Sequence, residues 1–524
     1  MPDNCPINVS PYDLPNVIKT PNIINLNYTN QDFWSMKARL TTFIEQRFGP
    51  EGSEIPNTFN DFVESSIAMM LIENWAFIAD TLSFKIDQIV NELFIDTVTE
   101  TENAFRLAKL VGFKAQPPLG AISNWTATAN SARSSDIIIP TPYPIDLAID
   151  GSGITIELFQ ANSNGEPLFG SPIIIPPGET VNSSIVGIEG KTVTDTFIGT
   201  GEPSQIYVTG NNPVLYDSVS VVVDGRPWQK VDYFTDSQPR LEYLFDYDSL
   251  YRGYIIFGNG RSGLIPSANS SISVTYRYGG GQRGNIITNY ANVSILALVD
   301  GVSYQVPVVI SNYTRGRWGY DGDTIDDIRR KLPQWVRAQN RAVSGADYKT
   351  LTDQFATAYH GIIGKSNAVL RNHGCAGNII DIYVLARNGD MNLEPASNGL
   401  KVALNEELTK KKMLTDFVCI RDGSVILVDT LIEVTVDKFY RKFEDEIRQS
   451  ILDKAYNFFS LNNWDYGQNL RSIDLVRQLS DLKQIDSFHI SFTTIDSENS
   501  GDIVNAKYYE IIRPDQTNVT FMYV

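Results

Sequence analysis

Three cysteines and three histidines are all that 524 residues offer to metal or thiol chemistry. Cys5, Cys375 and Cys419 are widely spaced and form no C-x-x-C, so they make no disulfide framework and suit a reducing compartment. His373 and Cys375 do not make a four-ligand zinc site. No third group stands near them to orient a Cys–His nucleophile pair, and neither a G-x-S-x-G elbow nor an H-E-x-x-H is present. Positive charge is short as well. With 43 Lys and Arg against 61 Asp and Glu, the net charge of -18 predicts a surface that repels nucleic acid and anionic membranes. The densest basic run, Lys410–Lys412, reads as a helix end. No uninterrupted apolar run reaches about 18 residues, so no membrane span is predicted. The opening residues have no basic n-region or apolar h-region, so no signal peptide is predicted. Without one, the Asn-x-Ser/Thr triplets at Asn124 and Asn269 read as chance matches.

What is present in quantity is glycine in turns. Gly258, Gly260 and Gly263 spell G-x-G-x-x-G, and Gly279, Gly281 and Gly284 repeat it. A phosphate loop of that kind needs a helix to start within the glycines, so that free N–H groups face the phosphate. Here Leu264-Ile-Pro-Ser-Ala follows the first set, and Pro266 opposes a helix there. Asn285-Ile-Ile-Thr follows the second and reads as extended chain. Both sets are therefore predicted to be structural turns between strands.

The length allows roughly three or four domains at ~150 residues each, and the patterning predicts a multidomain α+β chain. Residues 1–30 read as an extended arm. Residues 31–118 read as a helical bundle region, with Asn30 as a cap for a helix carrying Phe33, Leu40, Phe43 and Ile44. The strongest helical signal spans 59–96. Leu71, Trp75, Ile78, Leu82, Ile86, Ile89 and Leu93 step by three or four in one stripe, and Val63, Met70, Phe77 and Phe84 form a second line at steps of seven. Glu73, Asp80 and Asp87 make a narrow acidic line, also at steps of seven. A surface helix normally has one apolar face; this one has two and should be covered from more than one side. Unbroken, it would run about 50 Å. It reads either as the central helix of its own domain or as part of a bundle built from several chains. Thr99 and Glu102 predict a capping box for the next helix.

Residues 119–314 lose helical periodicity. Short Val/Ile/Thr/Tyr runs between Gly, Pro, Asn and Asp clusters predict a β-sandwich-like domain, with long loop in the Pro-, Gly- and Ser-rich segment 138–190. Residues 315–365 read as a helical connector. In it Thr324 caps one helix, Ser344 and Asp347 cap another, and Asp321, Asp323, Asp326 and Asp327 are helix-start carboxylates in preference to a Ca²⁺ loop. Residues 366–524 alternate strand and helix as an α+β sandwich. Carboxylate pairs such as Asp246 and Asp248, or Glu444 and Glu446, could serve a glycosidase only if they faced each other across a groove. Surface or turn placement is the expectation. No catalytic, cofactor or metal residue is assigned, and the profile favours an assembly component over an enzyme.

Three stretches, in order, resemble the baseplate J-like family, the wedge subunits of contractile phage tails and related injection machines. They are Leu82 to Phe113, Ile256 to Asn285, and Asp326 to Pro333 followed by Arg341 to Tyr348. The run Asn25 to Asn30 is similar to wedge proteins of larger tails. The resemblance implies a structural, non-catalytic role in the baseplate of the virion tail, with assembly in the host bacterial cytoplasm. It implies that two copies join a second wedge subunit through a bundle of N-terminal helices. Wedges then form a six-fold ring around the hub, and the ring passes a conformational change to the sheath. The implied partners are a second copy, other wedge subunits, and hub and sheath-initiating proteins, with no nucleic acid and no membrane insertion. The interface residues expected on that reading are Met70, Leu71, Trp75, Phe77, Ile78, Leu82, Ile86 and Ile89. The alternatives are a receptor-binding or carbohydrate-active tail protein, and a nucleotide-dependent enzyme built on Gly258 to Gly263.

Overall fold

The computed structural model describes residues 29, 32–49, 53–56, 58, 59, 61, 63, 66–149, 152–234, 239–300, 304–372, 378–389, 392–482, 484–495 and 500–524. The extended arm predicted for residues 1–30 falls outside these apart from Thr29, as do Cys5, Asn30, His373 and Cys375. The protein is multidomain α+β, 27% helical and 39% strand. It divides into two compact units, one holding Thr20–Lys114 and Thr324–Arg330, the other Ala115–Asp323 and Lys331–Val524.

The first unit is helical. Helix α1, Phe33–Phe48, starts at Asp32, whose carboxylate accepts the Ser35 N–H at 2.8 Å while the Ser35 hydroxyl accepts the Asp32 N–H at 3.0 Å. This reciprocal cap stands two residues beyond the predicted one at Asn30. Helix α2, Ile67–Asn91, starts where the Ser66 hydroxyl accepts the Met69 N–H. It is shorter than the 59–96 pattern suggested, about 37 Å long, and Val63 precedes it. Helix α3, Thr101–Leu110, has no Thr99–Glu102 capping box. The Glu92 carboxylate, at the end of α2, takes that place: it accepts the Thr99 N–H at 2.9 Å and hydroxyl at 2.6 Å. A carboxylate is favoured at the positive end of a helix, and Glu102 is left to pair with Arg106. Burial alone would push Glu92 up, but the bonds from Thr99, Asn103 and Glu100 hold it below the ordinary carboxylate range. Helix α4, Ile325–Ala338, opens with a reciprocal Thr324–Asp327 cap. Its Arg329 donates to the carbonyls of Ile95 and Val98 and so fixes the turn between α2 and α3.

The second unit is built on four main sheets. The first has eight strands in the order Tyr143–Ile149, Ser152–Gln160, Val181–Glu189, Ile122–Ala129, Tyr304–Asn312, Asn292–Val299, Ile137–Ile139 and Ile173–Ile175. Its inward residues, among them Trp125, Ile139, Ile156, Leu158, Val308 and Ile310, are fully buried together. The segment 138–190, predicted to contain long loop, is largely strand, and its main loop runs between Gln160 and Ile173. The second sheet has seven strands in the order Lys191–Ile198, Ser271–Tyr278, Ser220–Val223, Arg226–Val231, Glu242–Tyr247, Gly253–Phe257 and Ile206–Val208. Side chains alternate along Ser271–Tyr276, where Ile272, Val274 and Tyr276 are buried and Ser271, Ser273 and Thr275 are not, and the alternation ends at Arg277, which is buried as well. The sheet curls until its two edges are joined by side chains. The Tyr207 hydroxyl donates to the Ile198 carbonyl at 3.0 Å, and Asp195 accepts the Gly210 N–H at 2.8 Å.

Helix α5, Gly345–Asp353, carries the predicted Ser344–Asp347 capping box. With helix α6, Asn398–Lys411, it covers a five-stranded sheet that includes Gly361–Asn372, Asn378–Asn388 and Asp416–Asp422. Lys410 and Lys411 sit in the last turn of α6, as predicted. Helix α7, Glu444–Phe458, and helix α8, Ser472–Leu479, share a core with a four-stranded sheet centred on Ser424–Val436. The inward residues of α8 are Leu475 and Leu479, while Ile473 is exposed. Lys349 of α5 reaches Asp353 at 2.9 Å, the Ser366 carbonyl at 2.7 Å and Asp465 at 3.2 Å, tying α5 to the loop after α7. Burial works against its charge, but Asp353 and Asp465 outweigh it and hold the ammonium above its ordinary pKa.

The eight- and seven-stranded sheets are stitched by Arg277. Its Nη1 donates to Glu157 at 2.8 Å, and its Nη2 lies 3.0–3.3 Å from the carbonyls of Ile188, Glu189 and Gly190. Both ends of the ion pair are buried. Removing one partner of such a pair strands the other charge, at a cost of about 3–5 kcal/mol. Arg277→Ala is expected to lower the thermal unfolding midpoint clearly, read by calorimetry at neutral pH.

Candidate functional site

Helix α2 turns an unexpected side inward. At about 100° per residue, Met69, Ile72, Ala76, Ser83 and Asn91 share one face, and these are its buried residues. The acidic line lies on the same side. Glu73 receives Lys37 of α1 at 2.7 Å, and Asp87 accepts both the N–H and the hydroxyl of Thr29 at 2.9 and 2.8 Å. The covered face is thus built of small, polar and charged side chains with a few apolar ones.

Both apolar stripes remain outside. Leu71, Trp75, Ile78, Leu82, Ile86 and Ile89 are exposed, Trp75 at 65%; so are Met70, Phe77 at 62%, and Phe84. Between the stripes runs a polar seam of Asn74, Thr81 and Gln88 with Lys85 beside it, all exposed. The seam repeats every seven residues, a signal present in the sequence that the apolar periodicity masked. Along the first stripe spacings of seven and of eleven both occur, as in Leu71 with Ile78 and Leu71 with Leu82, and along the second Met70, Phe77 and Phe84 recur at seven. Trp34 and Phe43 of α1 and Leu110 of α3 are exposed as well.

The glycine sets are accounted for within the chain. In the first, the Asn259 side chain accepts the N–H groups of Arg261 and Ser262, while Asn259 and Gly260 donate to the carbonyls of Ser262 and Gly263. Those amides face the loop itself, and the next regular element is the strand from Ser271. Gly260 and Gly263 adopt φ of 85° and 72°, while Gly258 is needed because a side chain there would strike the Gly263 carbonyl. The second set contains a short 3₁₀ turn, Gly281–Gly284, and the chain leaves it at Asn285 without entering a regular helix. Gly279 and Gly284 each press on Glu189. Among the carboxylates, Asp326 and Asp327 sit in the first turn of α4. Asp321 and Asp323 bind loops instead, through the Gln282 and Gln116 N–H groups. Asp248 holds Arg252 and the turn around it, and Asp246 accepts the Tyr247 N–H. Glu444 accepts Arg448 and the Tyr523 hydroxyl.

Residues 32–110 match the family described as bacteriophage baseplate protein, N-terminal domain. The match contains α1, α2 and α3 whole, and therefore both outward stripes. The chain carries a baseplate domain, and a structural role in a phage tail baseplate is what this supports. No curated protein matches the chain. Two solved structures bear a distant likeness. One is the anti-feeding prophage baseplate, 6-fold symmetrised, with TM-score 0.31 and 11% identity over 87% of this chain and 88% of that one. The other is the type VI secretion system TssK-TssF-TssG baseplate subcomplex, with TM-score 0.25 and 10% identity over 67% of this chain and 96% of that one.

One helix of this baseplate domain, α2, is long and apolar enough to cross a membrane by length and composition, which the search for uninterrupted apolar runs did not flag. Glu73, Asp80, Lys85 and Asp87 punctuate it along its length, and each charge at a bilayer centre costs about 2.5–3.5 kcal/mol on insertion scales. Because the stripes contribute nothing to the chain's own core, Ile78→Ser with Leu82→Ser is expected to leave the unfolding midpoint of the isolated chain nearly unchanged. Ile72→Ser, on the buried face, should lower it by the equivalent of about 2–4 kcal/mol. Parallel thermal melts followed by circular dichroism separate the two.

Proposed function

We propose that the chain is a wedge scaffold of a contractile-tail baseplate. On this reading it joins a second copy of itself and another wedge subunit through the exposed stripes of α2, and wedges link into a six-fold ring around the hub that relays a conformational change to the sheath. The observation that carries the proposal is the pair of outward stripes within the matched baseplate domain. Eight exposed side chains, Met70, Leu71, Trp75, Phe77, Ile78, Leu82, Ile86 and Ile89, would together return roughly 6–12 kcal/mol if covered. That is of the size needed to offset the ~4–15 kcal/mol cost of association. Patches of this kind on a folded chain mark contact sites. Apolar stripes that keep to one side of a helix over several turns suit helical partners.

A double variant, Trp75→Asp with Ile78→Asp, is expected to abolish incorporation into the particle while the isolated chain keeps its circular dichroism spectrum and melting midpoint. Particles that still incorporate the folded variant at wild-type occupancy, scored by negative-stain imaging, would remove the stripes from the assembly contact.

A further inference from the structure

The second glycine set has a function in the fold that turn geometry alone does not explain. The segment Gly316–Asp321 crosses directly over the turn Gly279–Ile286, backbone on backbone. Gly316 donates to the Ile286 carbonyl at 2.7 Å, Gly319 donates to the Asn285 side chain at 3.0 Å, and the Gln282 N–H donates to Asp321 at 2.8 Å. Side chains at Gly281 or Gly319 would collide with the opposite segment. Beneath the crossing lies Glu189, only 4% exposed. Its Oε1 accepts the Gly280 N–H at 2.9 Å, and its Oε2 is buried with no hydrogen-bond partner. A Cβ at Gly284 would meet the Glu189 stem at 2.7 Å, and one at Gly279 would meet Oε1 at 2.6 Å. The glycines thus form the lid of a closed compartment for one carboxyl group.

We propose that Glu189 is a protonation-controlled latch that holds the 279–286 turn against the 316–321 strap. The charged and titratable groups around it are few. Arg277, from the neighbouring strand, attracts its anion but is itself held by Glu157 and backbone carbonyls, with Tyr359 near its other side. Asp321, on the strap, repels it. Burial is the largest influence and pushes the carboxyl from 4.5 up to about 7, with the Gly280 N–H and Arg277 pulling the other way. A carboxyl raised in the closed state holds its proton more tightly there than in an opened one. Closure is therefore fully favoured below the ordinary carboxylate range, weakens as pH climbs towards 7, and changes little above it. The strap leads straight into Thr324 and α4.

Hydrogen–deuterium exchange of the full chain, corrected for the intrinsic pH dependence of amide exchange, reads the latch. Peptides covering 279–286 and 316–323 are expected to lose protection by roughly tenfold per pH unit between pH 5 and 7 and to level off by pH 8, while the strands Ser271–Tyr278 and Tyr304–Asn312 hold theirs. Glu189→Gln, which keeps the acceptor for Gly280 and cannot ionise, should flatten that profile. Asp321→Asn, which keeps the acceptor for Gln282, should shrink it by removing the repelling charge. A wild-type profile flat from pH 5 to 8 would overturn the latch, as would a Glu189→Gln profile that still falls.

Discussion

Lys37 on Glu73 and Thr29 on Asp87 decide how α2 sits. Once those carboxylates are engaged, the helix is rolled so that its charged line faces its own unit and its two apolar stripes face out. The covered face mixes those polar contacts with buried Met69, Ile72 and Ala76, so apolar burial and the two carboxylate contacts dock the helix together. The larger apolar stripes take no part in that docking and stay exposed. The length of the helix, the placement of α3 by Glu92 and the pinning of the connector by Arg329 all maintain that exposed geometry.

The larger unit is held by a different device, polar groups buried at joints between sheets. Arg277 with Glu157 and Lys349 with Asp353 and Asp465 occupy places where one sheet or helix meets the next element. Such pairs are weak contributors to net stability but penalise any arrangement that separates them. They therefore set how the pieces meet more than how strongly each holds together. Apolar cores do the latter, and each large sheet has its own.

Much of this was legible in the sequence, because local chemistry determined it. The Ser344–Asp347 cap and the end of α6 at its lysines follow from residues within a few positions of one another. What failed was whatever depended on distant partners. The periodicity of α2 was visible, but which face is covered depends on α1. The Glu92 cap was missed because the competing carboxylate comes from the preceding helix. Triple-isoleucine strands such as Ile137–Ile139 and Ile173–Ile175 are too short to show an alternating pattern, so the turn-rich segment around them read as loop. Glu189 gave no signal at all, since a single glutamate in a strand says nothing of its burial until the glycines that roof it are brought over it.

The angular gap between the two stripes has a geometric consequence. Met70, Phe77 and Phe84 lie on one side of the Asn74, Thr81 and Gln88 seam, and Leu71, Ile78 and Leu82 on the other. A single straight rod laid along one stripe leaves the other in water, so full shielding of α2 takes two approaches separated by that seam.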